Sequence, residues 1–389
     1  MRDMFKDNPR VLTYLVFSNF LLYFGFRVWQ SMFNNFAVED MGVGAASIGL
    51  IQAMRELPGL MGFLIGFLAL FLSEVRILGV SVIMLGAGLM LTGRSETIPA
   101  LLVGTVVMSL GFHLFYPSNS GVVLMVAEKK DAPRLLGQLG SLGAIAAAVA
   151  TGAVYFLADS WGYRTLFTLT GAIIVAGGLA LLPMGNFKAG LPPKRRVVVR
   201  RRYWLYYALA FLMGSRRHIF TTFAIFLMVQ KYGISVQTTA LLFFVNNIAN
   251  IFTMRLVGNM LGRFGERLML TIAFTVLAFV FVGYAFITFV PLLYVLFVLD
   301  NIMFGFNMST STYFQKIAVS KEEITSNLAV EQTINHIAAI VVPIAGGQVW
   351  EAFGSQVPFL AGAAIVLVSL VLAQLIRVPQ ETEPITIAA

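Results

Sequence analysis

Long apolar stretches, separated by short polar segments that contain Gly and Pro, follow one another along the whole chain. An α-helix rises about 1.5 Å per residue, so it needs about 20 apolar residues to cross a hydrocarbon core about 30 Å thick. The pattern predicts twelve such helices, which we number as spans 1 to 12 in chain order. Spans 1 to 6 are 11–36, 46–72, 77–93, 99–127, 134–157 and 164–184. Spans 7 to 12 are 203–230, 236–262, 267–288, 291–316, 325–350 and 357–377.

Composition agrees with this pattern. Of 389 residues, 58% are hydrophobic and 12% are charged, which is far more apolar surface than a water-soluble fold can bury. The predicted fold class is therefore an all-α membrane protein. Its helices are predicted to form two six-helix bundles, for reasons that lie in the middle of the chain. The chain contains no Cys, so disulfides, thiolate metal sites and cysteine catalysis are excluded. Span 1 is longer than a signal-peptide core and lacks a small-residue cleavage site after it, so we interpret it as a retained helix.

Charge adds a prediction about orientation. A net charge of +9 would suggest a nucleic-acid partner in a soluble protein, but here the basic residues lie on one side. With the N-terminus in the cytoplasm, the cytoplasmic segments contain most Lys and Arg residues, among them the run at 188–202. The only basic residues in the opposite loops are Arg94, Arg164 and Lys231. We therefore predict both termini in the cytoplasm, anionic lipids as neighbours and no nucleic-acid partner.

The middle of the chain predicts a division into domains. Residues 185–202 combine Gly, Pro and basic residues, which is typical of a linker between a bundle at 1–184 and a bundle at 203–389. The halves match in register, with Pro99 corresponding to Pro291, so two parallel six-helix repeats are the simplest account. Small residues predict close helix packing in two spans. They are Gly137, Gly140, Gly143 and Gly152 in span 5, and Gly346 and Gly347 in span 11.

A loop motif connects spans 8 and 9. We treat five of its residues as a candidate gating loop: Gly258, Gly262, Arg263, Gly265 and Arg267. The segment resembles the cytoplasmic-loop signature of the major facilitator superfamily, G-x-x-x-D-R-x-G-R-R. Gly262 stands at the usual aspartate position and Glu266 at a usual basic position. The equivalent loop of the first half keeps only Glu74 and Arg76 as charges.

This resemblance implies a transporter that works by alternating access between two halves, with spans 1, 4, 7 and 10 lining a central cavity. It does not imply an enzyme, and no nucleophile and base share a recognisable motif. We expect no cofactor and no metal site, since the histidines show no ligand spacing. Short loops and the absence of Cys favour a bacterial inner membrane, and we expect a monomer.

Two arginines lie at the middle of apolar spans, Arg27 in span 1 and Arg217 in span 7. Each is followed by Phe at six and nine residues, so they are internal-repeat partners. An unpaired Arg in hydrocarbon costs roughly 3 kcal/mol or more, so such residues usually face a cavity or a partner. The pair resembles the phosphate-binding arginines of organophosphate:phosphate antiporters, and guanidinium binds phosphate or carboxylate in bidentate fashion. The alternative is neutralisation within the protein, for example of Arg27 by Glu56.

Other polar residues inside the spans are candidates for the same site. Arg216 points about 100° away from Arg217 on a helix, so we expect one of the two to face the cavity, and the repeat spacing selects Arg217. Asn246 and Asn250 lie one turn apart, in a stripe that either binds substrate or joins helices. The full set of further substrate-binding candidates is Arg216, His218, His113, Asn246, Asn247 and Asn307.

Four residues are candidates for proton coupling or for counter-ions: Glu56, Asp300, Glu331 and His336. Glu331 with Asn335, and Gln332 with His336, form pairs spaced i,i+4 on one helix. A proton carrier must accept a proton in its site, whereas a nearby Arg favours the charged carboxylate. The two interpretations of Glu56 therefore compete.

These residues predict secondary active transport of a small or amphipathic organic anion, phosphate- or carboxylate-bearing, coupled to protons or to a counter-anion. One alternative is proton-coupled multidrug or cation efflux. Drug:proton antiporters of the superfamily carry a G-P-x-x-G-G-type motif in span 5, but the sequence from Thr151 to Val154 contains no Pro. A lipid-handling flippase on the same fold is the other alternative, and it would need a lateral opening between helices.

Overall fold

The computed structural model describes residues 9–61, 68, 71–127, 131–184 and 198–378, and these residues are almost entirely helical. The first half contains α1 (Pro9–Asn35), a π-helical turn (Phe36–Asp40), α2 (Ala45–Leu60), α3 (Glu74–Gly93), α4 (Ile98–Val126), α5 (Ala132–Leu181) and a 3-10 turn (Leu182–Met184). A 3-10 turn (Arg201–Tyr203) precedes α6 (Trp204–Tyr232), α7 (Val236–Phe286), α8 (Val290–Phe304), a 3-10 turn (Gly305–Asn307), α9 (Met308–Ile317), α10 (Lys321–Phe353) and α11 (Gln356–Ala373). The predicted all-α fold class is confirmed.

Two of these helices each contain two predicted spans. Backbone angles leave the helical region within α5 at Gly162 (φ 73°, ψ 159°) and within α7 at Gly265 (φ 76°, ψ 167°). Spans 5 and 6 therefore lie on either side of Gly162, and spans 8 and 9 on either side of Gly265. Eight of the described helical segments are long and apolar enough to cross a membrane. The 16-residue α2 is shorter than its predicted span, part of which lies outside the described residues.

The chain divides into two compact units. The first comprises Met1–Pro193 with Ile225–Asn247, and the second comprises Lys194–Ala224 with Ile248–Ala389. The end of α6 and the start of α7 thus pack with helices of the first half, because Asn35 holds them there. Its amide donates to the Ile234 carbonyl at 2.9 Å and accepts from the Thr239 hydroxyl at 3.0 Å. The division of the chain into bundles at 1–184 and 203–389 remains a prediction. Most of the linker between them lies outside the described residues.

Glycines bring α3 into close contact with two neighbours in the first unit. A Cβ on Gly88 would lie 2.2 Å from the backbone N of Met108 on α4. A Cβ on Gly86 would lie 2.7 Å from the carbonyl O of Gly171 on α5. No side chain fits at such distances, so these positions require Gly.

The close packing predicted for span 5 is wrong at three positions. Among the described residues, no atom lies within 4 Å of a Cβ added to Gly137, Gly140 or Gly152. The close approaches to backbone atoms at Gly86 and Gly88 are made by spans 3, 4 and 6. Gly143 and Gly346 do lie against neighbours, the rings of Tyr23 and Phe223.

The start of α10 is fixed by polar contacts within the second unit. Glu323 accepts a bidentate pair of hydrogen bonds from Arg200, Nε to Oε2 at 3.0 Å and Nη2 to Oε1 at 2.6 Å, and another from the Tyr203 hydroxyl at 2.6 Å. Hydrogen bonds from Arg200 hold the pKa of Glu323 below its ordinary value. The segment before α6 is thereby tied to α10.

The outer faces of the helices carry large apolar side chains. Phe156 is 78% exposed and Phe279 is 73% exposed, positions that would be unfavourable in water and are favourable against lipid. With the long apolar helices, these faces identify an integral multi-pass membrane protein.

The backbone at Gly265 gives a testable consequence for stability. Its angles lie in a region that is almost exclusive to Gly, so Gly265→Ala should destabilise the fold by about 1–3 kcal/mol. Thermal unfolding of the detergent-solubilised protein should show a lower melting temperature. Gly258→Ala is the matched control, because Gly258 lies on the same helix, without positive φ and with no described atom within 4 Å of an added Cβ. Equal melting temperatures for the two variants would contradict the strained turn.

Candidate functional site

The two arginines of α6 have different surroundings, as their 100° separation on a helix requires. Arg216 is buried, and its Nη1 donates to Oδ1 of Asp300 on α8 at 2.8 Å. The side chains of this pair are 1% and 8% exposed. Burying a charge is tolerable when an opposite charge pairs with it. Arg216 and Asp300, predicted as a substrate contact and a proton or counter-ion group, thus contact each other.

Arg217 lies on the wall of a cavity of about 280 Å³ in the second unit. We call it the second-unit cavity, and its polar lining consists of Arg217, Asn307, Ser311, Glu331, Gln332 and Asn335. The Arg217 guanidinium stacks over the Phe304 ring, 4.3 Å from the ring centroid, in a cation–π contact. The structure therefore places Arg217, and not Arg216, on the cavity wall.

Two further candidates line the same cavity. Glu331 reaches it from α10, and its Oε2 accepts a hydrogen bond from the Tyr206 hydroxyl at 2.6 Å. Asn307 reaches it from the 3-10 turn between α8 and α9. The i,i+4 spacing of Glu331 and Asn335 places both on the wall, as expected for one helix face.

Arg27 lies in the first unit and contacts the first turns of α7. Its Nη2 donates to Oδ1 of Asn247 at 3.0 Å, and its guanidinium lies 5.5 Å from the centroid of the Phe243 ring. The partner of Arg27 is thus a neutral amide. The alternative that Glu56 neutralises Arg27 is wrong, because the hydrogen bond that the structure gives Glu56 runs to another arginine.

That arginine is Arg55, the preceding residue on α2, whose Nη2 lies 2.5 Å from Glu56 Oε1. The other carboxylate oxygen lies 3.9 Å from Nε2 of His113 on α4. His113 Nδ1 in turn lies 3.0 Å from the Ser109 hydroxyl. The structure therefore brings Glu56 and His113 together in the first unit, which sequence spacing did not indicate.

The predicted asparagine stripe on α7 divides into two kinds of residue. The Asn250 amide donates to Asn301 Oδ1 on α8 at 3.0 Å, so Asn250 joins helices. Both amide atoms of Asn246 and the amide nitrogen of Asn247 are buried without a hydrogen-bond partner among the described residues. A buried polar group without a partner costs about 1–3 kcal/mol, so these atoms are available to a ligand or to water.

The remaining histidines lie on two other helices. His218 is buried on α6, one residue beyond Arg217. His336 is partly buried on α10, one turn beyond Gln332 of the cavity wall. Their predicted roles in substrate binding and proton coupling remain predictions.

The candidate gating loop turns at Gly265, where φ is positive. Next to it, Glu266 is buried and pairs with Nζ of Lys316 on α9 at 2.7 Å, and Arg267 Nε donates to Gln374 at 3.2 Å. The acidic residue at a usual basic position is explained by this lysine partner. Arg263 lies over the ring of Phe264, and Gly258 and Gly262 lie within the helix before the turn.

Sequence reasoning missed several partners of the predicted residues. They are Tyr206 for Glu331, Phe304 for Arg217, Ser109 for His113, Lys316 for Glu266 and Gln374 for Arg267. Each partner except Ser109 lies on a different helical element from its predicted residue, and no local spacing in the sequence marks it. Ser109 stands four residues before His113 on α4, a spacing that could have indicated this contact.

Comparison with known proteins gives a family and a fold. A family model described as Major Facilitator Superfamily matches residues 15–318 and 205–388. The solved nucleoside transporter NupG is similar with a TM-score of 0.76 and 17% sequence identity, covering 95% of this chain and 99% of that chain. An inward-facing, occupied bacterial homolog of the human lysosomal transporter Spinster is similar with a TM-score of 0.74 and 16% identity, covering 94% and 96%. No curated protein matches the sequence.

The buried ion pair on α6 and α8 can be tested by stability. Asp300→Asn would leave the Arg216 charge buried without its carboxylate, and breaking such a pair costs about 3–5 kcal/mol. We expect a clearly lower melting temperature for Asp300→Asn. The double variant Arg216→Met with Asp300→Leu should recover most of the loss, because no charge then remains buried.

The matched control is Glu96→Gln, which removes an exposed carboxylate just before α4. It should melt like the wild type. An unchanged melting temperature for Asp300→Asn would contradict a structural ion pair and would favour the predicted proton-coupling role of Asp300.

Proposed function

We infer, from a chain that belongs to the major facilitator superfamily and has the fold of its secondary transporters, that the transported substrate is an organic anion. The substrate is small or amphipathic and bears a phosphate or a carboxylate. Coupling is to protons or to a counter-anion. The similar solved structures support the fold alone at their level of identity, so the substrate class rests on the charges of this chain.

The observation that carries the proposal is how the arginines inside the membrane-spanning helices are partnered. Arg55 pairs with Glu56, and Arg216 pairs with Asp300. Arg27 donates to an amide, and among the described residues of its own unit no carboxylate pairs with it. A guanidinium keeps its charge and has five N–H donors in a fixed fork, so Arg27 retains the capacity to bind an anion.

Arg217 supplies the corresponding group in the second unit. Its position on the cavity wall places a positive charge where a ligand fits, and its stacking on Phe304 restrains the guanidinium plane. Pre-organisation of this kind reduces the entropy lost on binding. An anion that neutralises these charges stabilises the conformations in which it is bound, as alternating access requires.

Cation efflux is less well supported by the same contacts. An acidic residue that attracts cations should not already be neutralised. Glu56 is hydrogen-bonded to Arg55 and Asp300 to Arg216, so Glu331, whose partner is the neutral Tyr206 hydroxyl, is the remaining acidic candidate for this role. The proposal also keeps a monomer in a bacterial inner membrane. The one-sided distribution of Lys and Arg supports the cytoplasmic placement of both termini.

Arginine variants test the anion site. Purified protein is first screened for thermal stabilisation by phosphorylated, carboxylated and cationic metabolites at two pH values, since a ligand stabilises the state it binds. Uptake of the anions found is then measured in proteoliposomes. Arg27→Gln and Arg217→Gln should each reduce uptake at least about tenfold, equivalent to about 1.4 kcal/mol.

The control is Arg94→Gln, which removes an exposed arginine at the end of α3 and should transport normally. Stabilisation by cations alone, or wild-type anion uptake by both Arg27→Gln and Arg217→Gln, would exclude the anion proposal.

A second variant tests proton coupling. Glu56→Gln keeps the size of the side chain but removes a carboxylate that can take up a proton beside His113. If Glu56 carries the proton, accumulation driven by an imposed pH gradient should be lost, while exchange of labelled for unlabelled substrate continues. Proton-driven accumulation at the wild-type level would instead assign Glu56 to the structural neutralisation of Arg55.

A further inference from the structure

The second-unit cavity contains charges of both signs. Arg217 reaches it from α6 and Glu331 reaches it from α10, in a volume of about 280 Å³. Ligand pockets commonly measure about 300–1,000 Å³, so this cavity lies at the small end of that range. A small ligand in this volume lies near both groups.

Both charged groups are held by neighbours. The Arg217 guanidinium stacks on Phe304 at 4.3 Å, and Glu331 Oε2 accepts from the Tyr206 hydroxyl at 2.6 Å. The hydroxyl engages one carboxylate oxygen. Within the described part of the second unit, Glu331 Oε1 accepts no further hydrogen bond, so it is available to a donor on the ligand.

The rest of the wall is neutral and of two kinds. Asn307, Gln332 and Asn335 offer amide donors and acceptors, and Met213, Met254 and Met308 offer flexible apolar surface. The amides can bond either end of a polar ligand, and the methionines adapt to an apolar portion between or beside its charged groups.

We propose that this cavity binds a small zwitterion, whose carboxylate or phosphate pairs with Arg217 and whose ammonium pairs with Glu331. The inference rests on the anion-binding role of Arg217 in the proposed function and adds a second recognition group. A simple anion would pair with Arg217 but would bring its charge near the Glu331 carboxylate. A simple cation would pair with Glu331 but would bring its positive charge near Arg217. A zwitterion pairs both charges.

Matched probes distinguish these classes. One set is L-leucine, isocaproate and isoamylamine, and the other is phosphoethanolamine, ethyl phosphate and ethylamine. In each set the first compound is the zwitterion and the others retain only its anionic or only its cationic group. Binding to the purified full chain is measured by calorimetry, and the zwitterion of at least one set should bind at least about tenfold more tightly than both of its partners.

Two variants show which group supplies the preference. Glu331→Gln keeps an acceptor for Tyr206 and should abolish the advantage of the zwitterion over the anion. Arg217→Gln should abolish its advantage over the cation. Glu351→Gln, an exposed carboxylate of the same helix, should keep both preferences. Melting temperatures without ligand identify any variant that fails to fold, and Glu331→Asp then replaces Glu331→Gln and should weaken the zwitterion selectively.

The possible results separate this inference from the proposed function. Binding of the anions as tightly as the zwitterions overturns the inference and leaves the anion transporter intact. Binding of the amines alone overturns both. No binding by any member of either set overturns the zwitterion site, while the uptake test on Arg27 still decides the proposed function.

Discussion

A guanidinium in an interior of low dielectric constant needs a partner, and this requirement organises the polar interior of both units. In the second unit Arg216 pairs with Asp300 at 2.8 Å, which joins α6 to α8. In the first unit Arg55 pairs with Glu56, and Arg27 bonds Asn247. The last contact joins α1 to α7. Each of these contacts fixes a side chain that would otherwise be too costly to bury, and each thereby limits where the remaining charges can act.

The fold could be predicted from the sequence because its signals are local. Apolar runs of membrane-spanning length and the glycine in the loop motif predicted the helices and the turn at Gly265 without reference to the rest of the chain. The packing of 225–247 with the first unit could not be predicted, since it depends on Asn35 meeting Ile234 and Thr239 across a long sequence separation. The prediction of close packing at Gly137, Gly140 and Gly152 failed for the same reason. A small residue permits close packing but does not show which helix approaches it.

The candidate site was predictable in position but not in partnership. Helical geometry and the repeat spacing separated Arg217 from Arg216. The structure places Arg217 on a cavity wall and Arg216 in an ion pair. The choice of Asp300 as the partner depends on how α6 packs against α8. Sequence alone offered Glu56 as a partner for Arg27, but the adjacent Arg55 reaches that carboxylate instead. The directions of the side chains therefore determine that Glu56 pairs with Arg55 and not with Arg27.

A ligand shifts a conformational equilibrium only by as much as its affinity differs between the states. A guanidinium already neutralised by a buried carboxylate gains little from an incoming anion, so Arg55 and Arg216 serve mainly to hold their helices. Arg27 gains more, because its hydrogen-bond partner is an amide that leaves its charge uncompensated within its own unit. In the proposed transporter, the energetic effect of the anion therefore acts through Arg27 in the first unit and through the wall of the second-unit cavity. The spacing of the sequence predicts that Arg27 and Arg217 are repeat partners, but their neighbours, Asn247 in one unit and Glu331 in the other, make them chemically different. Within the second-unit cavity, the opposite charges of Arg217 and Glu331 favour a substrate with two unlike ends.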